Sequence, residues 1–221
     1  MKPLKLDDCS SSNMLALTCC SATNIGNSNR IFRSHLFRNS MSCERCGISQ
    51  STLNRMRARI KSGRVDENGQ MNFALMKSAD QDAKTGRPVD ALTAAKRLLA
   101  LGIWPLWGNT PSRAVVAAND RICVYLCGTS SVIASARIKS IIPWSRETAA
   151  SYPLVLGGTP SIALCLDDVQ VSDTPILVAE HKDQLNCIGK NKIKWGAAFC
   201  GGMRSLTKHD FSILTSFRGI K

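Results

Sequence analysis

Tryptophan is scarce in this chain, four in 221 residues, yet two of the four stand three positions apart in GIWPLWGNTPSR, residues 102 to 113. An indole offers a wide flat face and a single N–H, so a pair of them serves as core, as a surface anchor, or as the wall of a pocket for a planar ligand. Trp104 continues the apolar face of the residues before it and suits the core. Trp107 and Trp195 sit beside Gly108 and Gly196, where a missing side chain lets backbone come close to a ligand. Trp144, in IIPWSRE, reads as a loop residue after a strand and ranks last.

The second chemical resource is cationic. The formal charge is +13. From Ser28 to Arg64 the sequence carries Arg30, Arg33, Arg38, Arg45, Arg55, Arg57, Arg59, Lys61 and Arg64 against the single acid Glu44. Such an excess favours polyanions, nucleic acid first, with a solvated basic tail as the plain alternative. In GKNKIKWG the alternation of Lys190, Lys192 and Lys194 puts three ammonium groups on one side of an extended segment. They suit phosphate, which gives affinity without sequence choice, or equally an exposed edge that discourages strand pairing.

Catalytic patterns are thin. His35, His181 and His209 are the three histidines, and no metalloprotease, nucleophile-elbow or phosphate-loop motif accompanies them. Glu180, His181 and Asp183 cluster in AEHKDQLNC, and Asp167 adjoins Asp168, but a metal-dependent nuclease would need further ligands at better spacing. Cys43 and Cys46 form one CxxC, and the chain offers no second pair of the kind structural zinc requires. The ten cysteines read as reduced thiols, with Cys123 and Cys127 as small buried hydrophobes. A non-enzymatic protein without metal or cofactor is the expectation.

The elements that must position these residues follow from periodicity. Apolar residues make up 44% of the chain, enough for a core, and no run approaches the ~20 apolar residues of a membrane helix; with no signal peptide in view, the expected compartment is the cytoplasm. Residues 1–40 lack periodicity and read as a disordered or non-native extension, the native product being expected to start near Met41. Ser49 suits an N-cap, Leu53, Met56 and Ile60 recur at helical spacing, and Gly63 is a stop. MNFALMKSADQDAK reads as a second helix and TGRP as a linker. Asp90 can cap ALTAAKRLLAL, with Leu92, Ala95, Leu98 and Leu99 on one stripe and Gly102 ending it. Beyond Pro111 the texture is β. In RICVYLC, Ile122, Val124 and Leu126 share one face while Tyr125 joins its cysteine neighbours on the other. GTSS suits a hairpin turn, SVIASARIKSII, IALCLDDVQ and TPILVA are strand-like, and Thr207 with Asp210 has capping-box-like spacing before a terminal helix.

Two resemblances organise these pieces. A helix ending in GIW, a Thr-Pro segment, AANDRICVYLCG, a long strand, GKNKIKWGAAFCGGMRSLT and a final HDFSIL helix follow each other as in the EVE domain of the PUA-like superfamily, over about residues 91 to 217. Asn119 stands where that family has glycine, a change that keeps access to positive φ. Residues 44 to 83, with ERCGISQSTLNRMRARIKSGRVDENGQMNFALMKSAD, resemble the helix-turn-helix of phage terminase small subunits.

These resemblances imply an α+β protein: a basic helix-turn-helix-like module over 41–84 and a small PUA-like β-barrel with flanking helices over 91–221. The EVE resemblance implies a pocket that accepts one nucleobase, modified or not. Trp104, Trp107, Tyr125 and Trp195 are then its walls, Asn109, Thr110 and Ser112 its edge readers, and Arg113 and Arg204 rim contacts to phosphate beside Lys190, Lys192 and Lys194. In the N-terminal module Gln50, Ser51, Asn54 and Arg55 would face base edges, and Arg57, Arg59 and Lys61 phosphates. Nucleic acid is the expected partner, DNA before RNA because of the helix-turn-helix resemblance. The competing readings are a protein-interaction adaptor with a tryptophan-lined groove and, behind it, a nuclease using the acidic pairs.

Overall fold

The computed structural model describes residues 49–189 and 193–217. Expectations placed on residues 1–40, on Cys43 and Cys46, and on Lys190 and Lys192 lie outside the described residues. The chain divides into two compact units, Met1–Ala58 and Arg59–Lys221.

In the first unit, residue 49 opens helix α1 (Gln50–Ser62), which runs on into the second unit. Ser49 Oγ accepts the Thr52 N–H at 3.3 Å, the expected N-cap bond. Gly63, at φ 65°, ends the helix, its N–H donating to the Ile60 carbonyl at 3.1 Å. The expected apolar stripe fails at its last member. Ile60 is 59% exposed, and the buried residue of this helix is Arg59.

The second unit is built on one mixed sheet. Its strands are β1 (Asn72–Lys77), β4 (Ile103–Leu106), β5 (Arg121–Leu126), β6 (Ser131–Pro143), β7 (Ile162–Leu177) and β8 (Met203–Leu206), in the order β4-β7-β6-β5-β1-β8. Among the described residues only β1 and β5 are parallel neighbours. Between them in sequence lie a short hairpin, β2 (Asp80–Gln81) with β3 (Pro88–Val89), and helix α2 (Ala91–Leu101). After β6 comes α3 (Arg146–Ser151), after β7 the single turn α4 (Val178–His181), and after β8 the terminal helix α5 (Lys208–Leu214). Short 3-10 turns occupy Asn186–Ile188 and Trp195–Phe199. Three register shifts along β6 and β7 bend the long strands, as bulges do, and β4 and β8 remain unpaired edges of a curled half-barrel. The α+β class is as expected.

The sheet carries a core on each face. Phe73 and Leu75 of β1 and Ile122, Val124 and Leu126 of β5 join Ala94, Ala95, Leu98 and Leu99 of α2 in one cluster. Ala74 and Met76, with Cys123 and Tyr125, join Phe199, Phe211 and Leu214 in the other. The alternation read in RICVYLC is thus observed, and both of its faces are buried because β5 lies inside the sheet. Helix α2 is capped as read: Asp90 accepts the Thr93 N–H and Gly102 closes the helix at φ 66°. Its buried stripe includes Ala94, whereas Leu92 is 39% exposed.

Three expectations need correction. MNFALMK is no helix; it forms β1, whose residues Asn72 to Met76 are all buried between β5 and β8, and a run apolar on both faces has no alternation to announce a strand. The proposed helix-turn-helix module over 41–84 therefore loses its second helix, and a barrel beginning at residue 91 would lack a central strand. TGRP is no linker. It closes the β2–β3 hairpin, where the Asp82 carboxylate accepts the Lys84 and Thr85 N–H groups and pairs with Arg97.

Candidate nucleic-acid interface

The expected walls of the base pocket are dispersed by the two-core architecture. Trp104, on β4, is 4% exposed and belongs to the first core. Tyr125 is equally buried in the second, stacked on Phe199 with ring centroids 4.6 Å apart. Trp195 opens a 3-10 turn and packs against that second core. Trp104 belongs to the core on one face of the sheet and Tyr125 and Trp195 to the core on the other; the assignment of Trp104 and Tyr125 as open walls is corrected to core.

Trp107 is half-buried and held by a tight turn. Its N–H donates to Thr110 Oγ1 and its carbonyl accepts the Thr110 N–H, each at 3.0 Å. Thr110 is therefore a turn-former rather than a free edge reader. Asn109 is exposed, and Ser112 sits at φ 61°. The turn is pressed against the loop before β8: a Cβ on Gly201, itself at φ 90°, would lie 3.2 Å from Pro111 Cγ, so glycine is needed there for both space and conformation. On its other side the Trp107 indole nears Gly158, where a Cβ would come within 3.8 Å of Nε1.

Most of the basic residues assigned to phosphate have structural duties. Arg59 is 8% exposed and forms a bidentate pair with the fully buried Asp120, at 2.6 and 2.7 Å. It also donates to the Val115 and Gly69 carbonyls, while Asp120 accepts the Met71 and Ala117 N–H groups. Asn119 adopts φ 70° beside this cluster, the conformation expected of it. Arg59 is thus corrected from phosphate contact to fold anchor. A carboxylate with four donors on it repays the desolvation of the guanidinium, which burial alone would forbid. Arg204 is corrected likewise: it donates to the Ala198 and Cys187 carbonyls at 3.0 and 2.8 Å, tying the two 3-10 turns to β8. Arg113 is half-buried, and Lys194 is exposed in a turn rather than an extended strand. On α1, Gln50 donates to Asn54 at 3.0 Å and Ser51 shares a hydrogen bond with Ser49; Arg55 and Lys61 are exposed, and Arg57 is half-buried.

A cleft forms where β6 ends, at the tryptophan ranked last. It is open to solvent and offers about 500 Å³ between the Trp144–Arg146 segment with α3 and the 156–159 loop. Trp144, Ala149 and Leu156 give it apolar walls, Gly158 and Thr159 an open lip, and Arg146 its charge. No carboxylate lines it. Trp144 meets Tyr152 in a T-shaped contact at 5.6 Å and 79°, which fixes the indole. Burial, and after it the Asp80 carboxylate, raise the Tyr152 phenol above its ordinary value, so this support stays neutral. Ser145 is committed to capping α3, its Oγ accepting the Thr148 N–H at 3.2 Å. The exposed Glu147 carboxylate, next to Arg146 on α3, is held below its usual value first by a hydrogen bond from Ser145. Arg146 is exposed, and among the described residues its guanidinium enters no salt bridge. The sequence signal was present in PWSR, an aromatic and a cation two apart directly after a long strand.

A flat apolar wall beside a guanidinium suits a nucleotide. Stacking a base on one aromatic is worth ~1–3 kcal/mol, against a few kcal/mol for taking a base out of a duplex. One wall therefore falls short of that cost, where the expected pair would have met most of it.

No family model matches the chain, and no curated protein matches it. Among the described residues no helix is long and apolar enough to cross a membrane. Similar solved structures include ASCH from Zymomonas mobilis, at 15% identity and a TM-score of 0.41, covering 66% of this chain and 94% of that one. The N-terminal domain of Staphylothermus marinus McrB matches at 10% identity and a TM-score of 0.33, over 67% of this chain and 94% of that one.

Proposed function

We propose that the chain is a non-enzymatic nucleic-acid-binding protein whose half-barrel is a PUA-like domain accepting one base, modified or unmodified. The observation that carries this reading is the cleft at the end of β6, with an indole wall, an unpaired guanidinium and no carboxylate in its lining. The net charge of +13 supports it from a distance, since a strongly basic protein gathers polyanions whatever their sequence. The helix-turn-helix resemblance that favours DNA has strand β1 in the place of its second helix, so the proposal is nucleic acid without a preference between DNA and RNA.

The test is a titration of intrinsic tryptophan fluorescence with single-stranded DNA, duplex DNA and RNA, each DNA with and without 5-methylcytosine, at about 50 and about 200 mM salt. Quenching that saturates and weakens steeply with salt is expected, because phosphate contacts release counterions. An absence of quenching by every nucleic acid at low salt defeats the reading and leaves the apolar adaptor in its place. Dependence on the methyl group would extend the reading to modified bases.

A further inference from the structure

Resting on the nucleic-acid reading, we propose that the ligand of the cleft is an unpaired nucleotide of a single strand, with its base against Trp144 and its phosphate on Arg146. The volume of about 500 Å³ falls within the range of roughly 300–1,000 Å³ of small-ligand sites and admits one nucleotide rather than a helix. In a duplex the flat faces of the bases are covered by their neighbours, and only an unpaired or extruded base presents one to an indole.

The number of walls separates these two sources. Extruding a base from a duplex must be repaid inside the pocket, and here one aromatic residue lines the cleft. Trp104 and Tyr125 are buried in separate cores, Trp195 packs on the second, and Trp107 stands behind Gly158. A single wall does not repay extrusion; a strand whose bases are already unpaired owes nothing on that account. The cationic partner fits the same ligand. Arg146 is exposed, lines the cleft two residues from Trp144, and is the one charged residue in the lining. A phosphate one sugar away from a stacked base is within reach of such a side chain, and Arg holds it through paired N–H donors. Glu147, the next residue of α3, is not in the lining, and its carboxylate takes a hydrogen bond from Ser145.

The experiment uses the full chain and its Arg146→Gln variant, with fluorescein-labelled oligothymidylate and oligouridylate of about twelve nucleotides and a blunt duplex of equal length, read by anisotropy at several salt concentrations. Wild type is expected to bind both single strands at least about 10-fold more tightly than the duplex. Arg146→Gln should weaken single-strand binding about 10-fold and flatten the slope of log affinity against log salt by about 0.7, the increment for one phosphate on a single strand. Its thermal unfolding should be unchanged, since the side chain it removes is exposed. Equal affinity for duplex and single strands overturns the proposal while the nucleic-acid reading stands. So does an Arg146→Gln variant that matches wild type in affinity and slope. Failure of all three probes to bind overturns both.

Discussion

Asp120 and Asp210 are both fully buried, yet their surroundings differ in kind. Asp120 is met by a guanidinium on both oxygens and by two backbone N–H groups, from Met71 and Ala117. Asp210 is met by two backbone amides and a thiol, with no guanidinium on it: its oxygens accept the Asn186 and Cys187 N–H groups at 2.7 and 3.0 Å, and the Cys187 side chain bonds to it as well. The nearby cation, Arg204, spends its donors on carbonyls instead. The first arrangement joins segments 61 residues apart and carries a buried charge pair. The second closes a 3-10 turn onto a helix 24 residues away. Burial of a carboxylate is thus a matter of how many donors converge on it, and the sign of its neighbours decides what happens when it is removed.

The largest effect is expected at the charged cluster. Asp120→Ala leaves Arg59 buried without its anion, and breaking a buried pair from one side costs about 3–5 kcal/mol. Urea unfolding of the variant should show a correspondingly lower midpoint at an unchanged slope. Arg59→Met combined with Asp120→Leu asks whether the charge or the amides matter more. Replacing both ions by apolar groups is often neutral, but here the Met71 and Ala117 N–H groups would still lose their acceptor. The double variant should therefore recover part of the loss and stay about 1–3 kcal/mol below wild type.

Asp210→Ala comes next, at about 1–3 kcal/mol, because it orphans two partly buried amides and strands no cation. Were it to cost as much as Asp120→Ala, the guanidinium would not be what distinguishes the two sites. Thermal unfolding of the two single variants side by side makes that comparison directly.

Local signals made part of this legible in the sequence. Asp90 and Gly102 bracket α2 because capping chemistry sits within a turn of the helix end, and the alternation in RICVYLC assigned Ile122 and Tyr125 to opposite faces. The same alternation sets Tyr125 on the face opposite Ile122, whose core Trp104 shares. What stayed hidden depended on partners far along the chain. Arg59 reads like its neighbours in a basic helix, and only Asp120, 61 residues on, makes it core in place of Ile60. MNFALMK has no period because both of its faces are covered. Asp210 had the spacing of a capping box, and Thr207 does cap α5 through the Asp210 N–H. The Asp210 carboxylate, however, left that role for the 3-10 turn, a contact no local pattern encodes. At the cleft, Trp144 reads in sequence as a loop residue of low rank, yet loops at the ends of strands are where ligands are commonly met.

The smallest expected effect concerns the thiol beside Asp210. Burial, and then the Asp210 carboxylate, push the Cys187 thiol up from 9.0 to about 11, whereas Cys200, the residue after Phe199, is exposed. Since the thiolate is the reactive form, iodoacetamide at about pH 8 should modify Cys200 well before Cys187, which peptide mass spectrometry resolves site by site. The raised value also has a sign in stability. The folded chain holds the Cys187 proton more tightly than the unfolded chain, so this contribution is complete below about pH 9 and is lost as pH rises through about 11. Cys187→Ala removes that slope, and the difference between the two pH–stability curves isolates it from other groups titrating there. Asp210→Asn removes one of the two main causes and should bring Cys187 labelling forward, while Asp120→Asn should leave it where it was. If both carboxylate variants accelerate Cys187 equally, the thiol is reporting general loosening of the fold, and the electrostatic link between Asp210 and its turn fails.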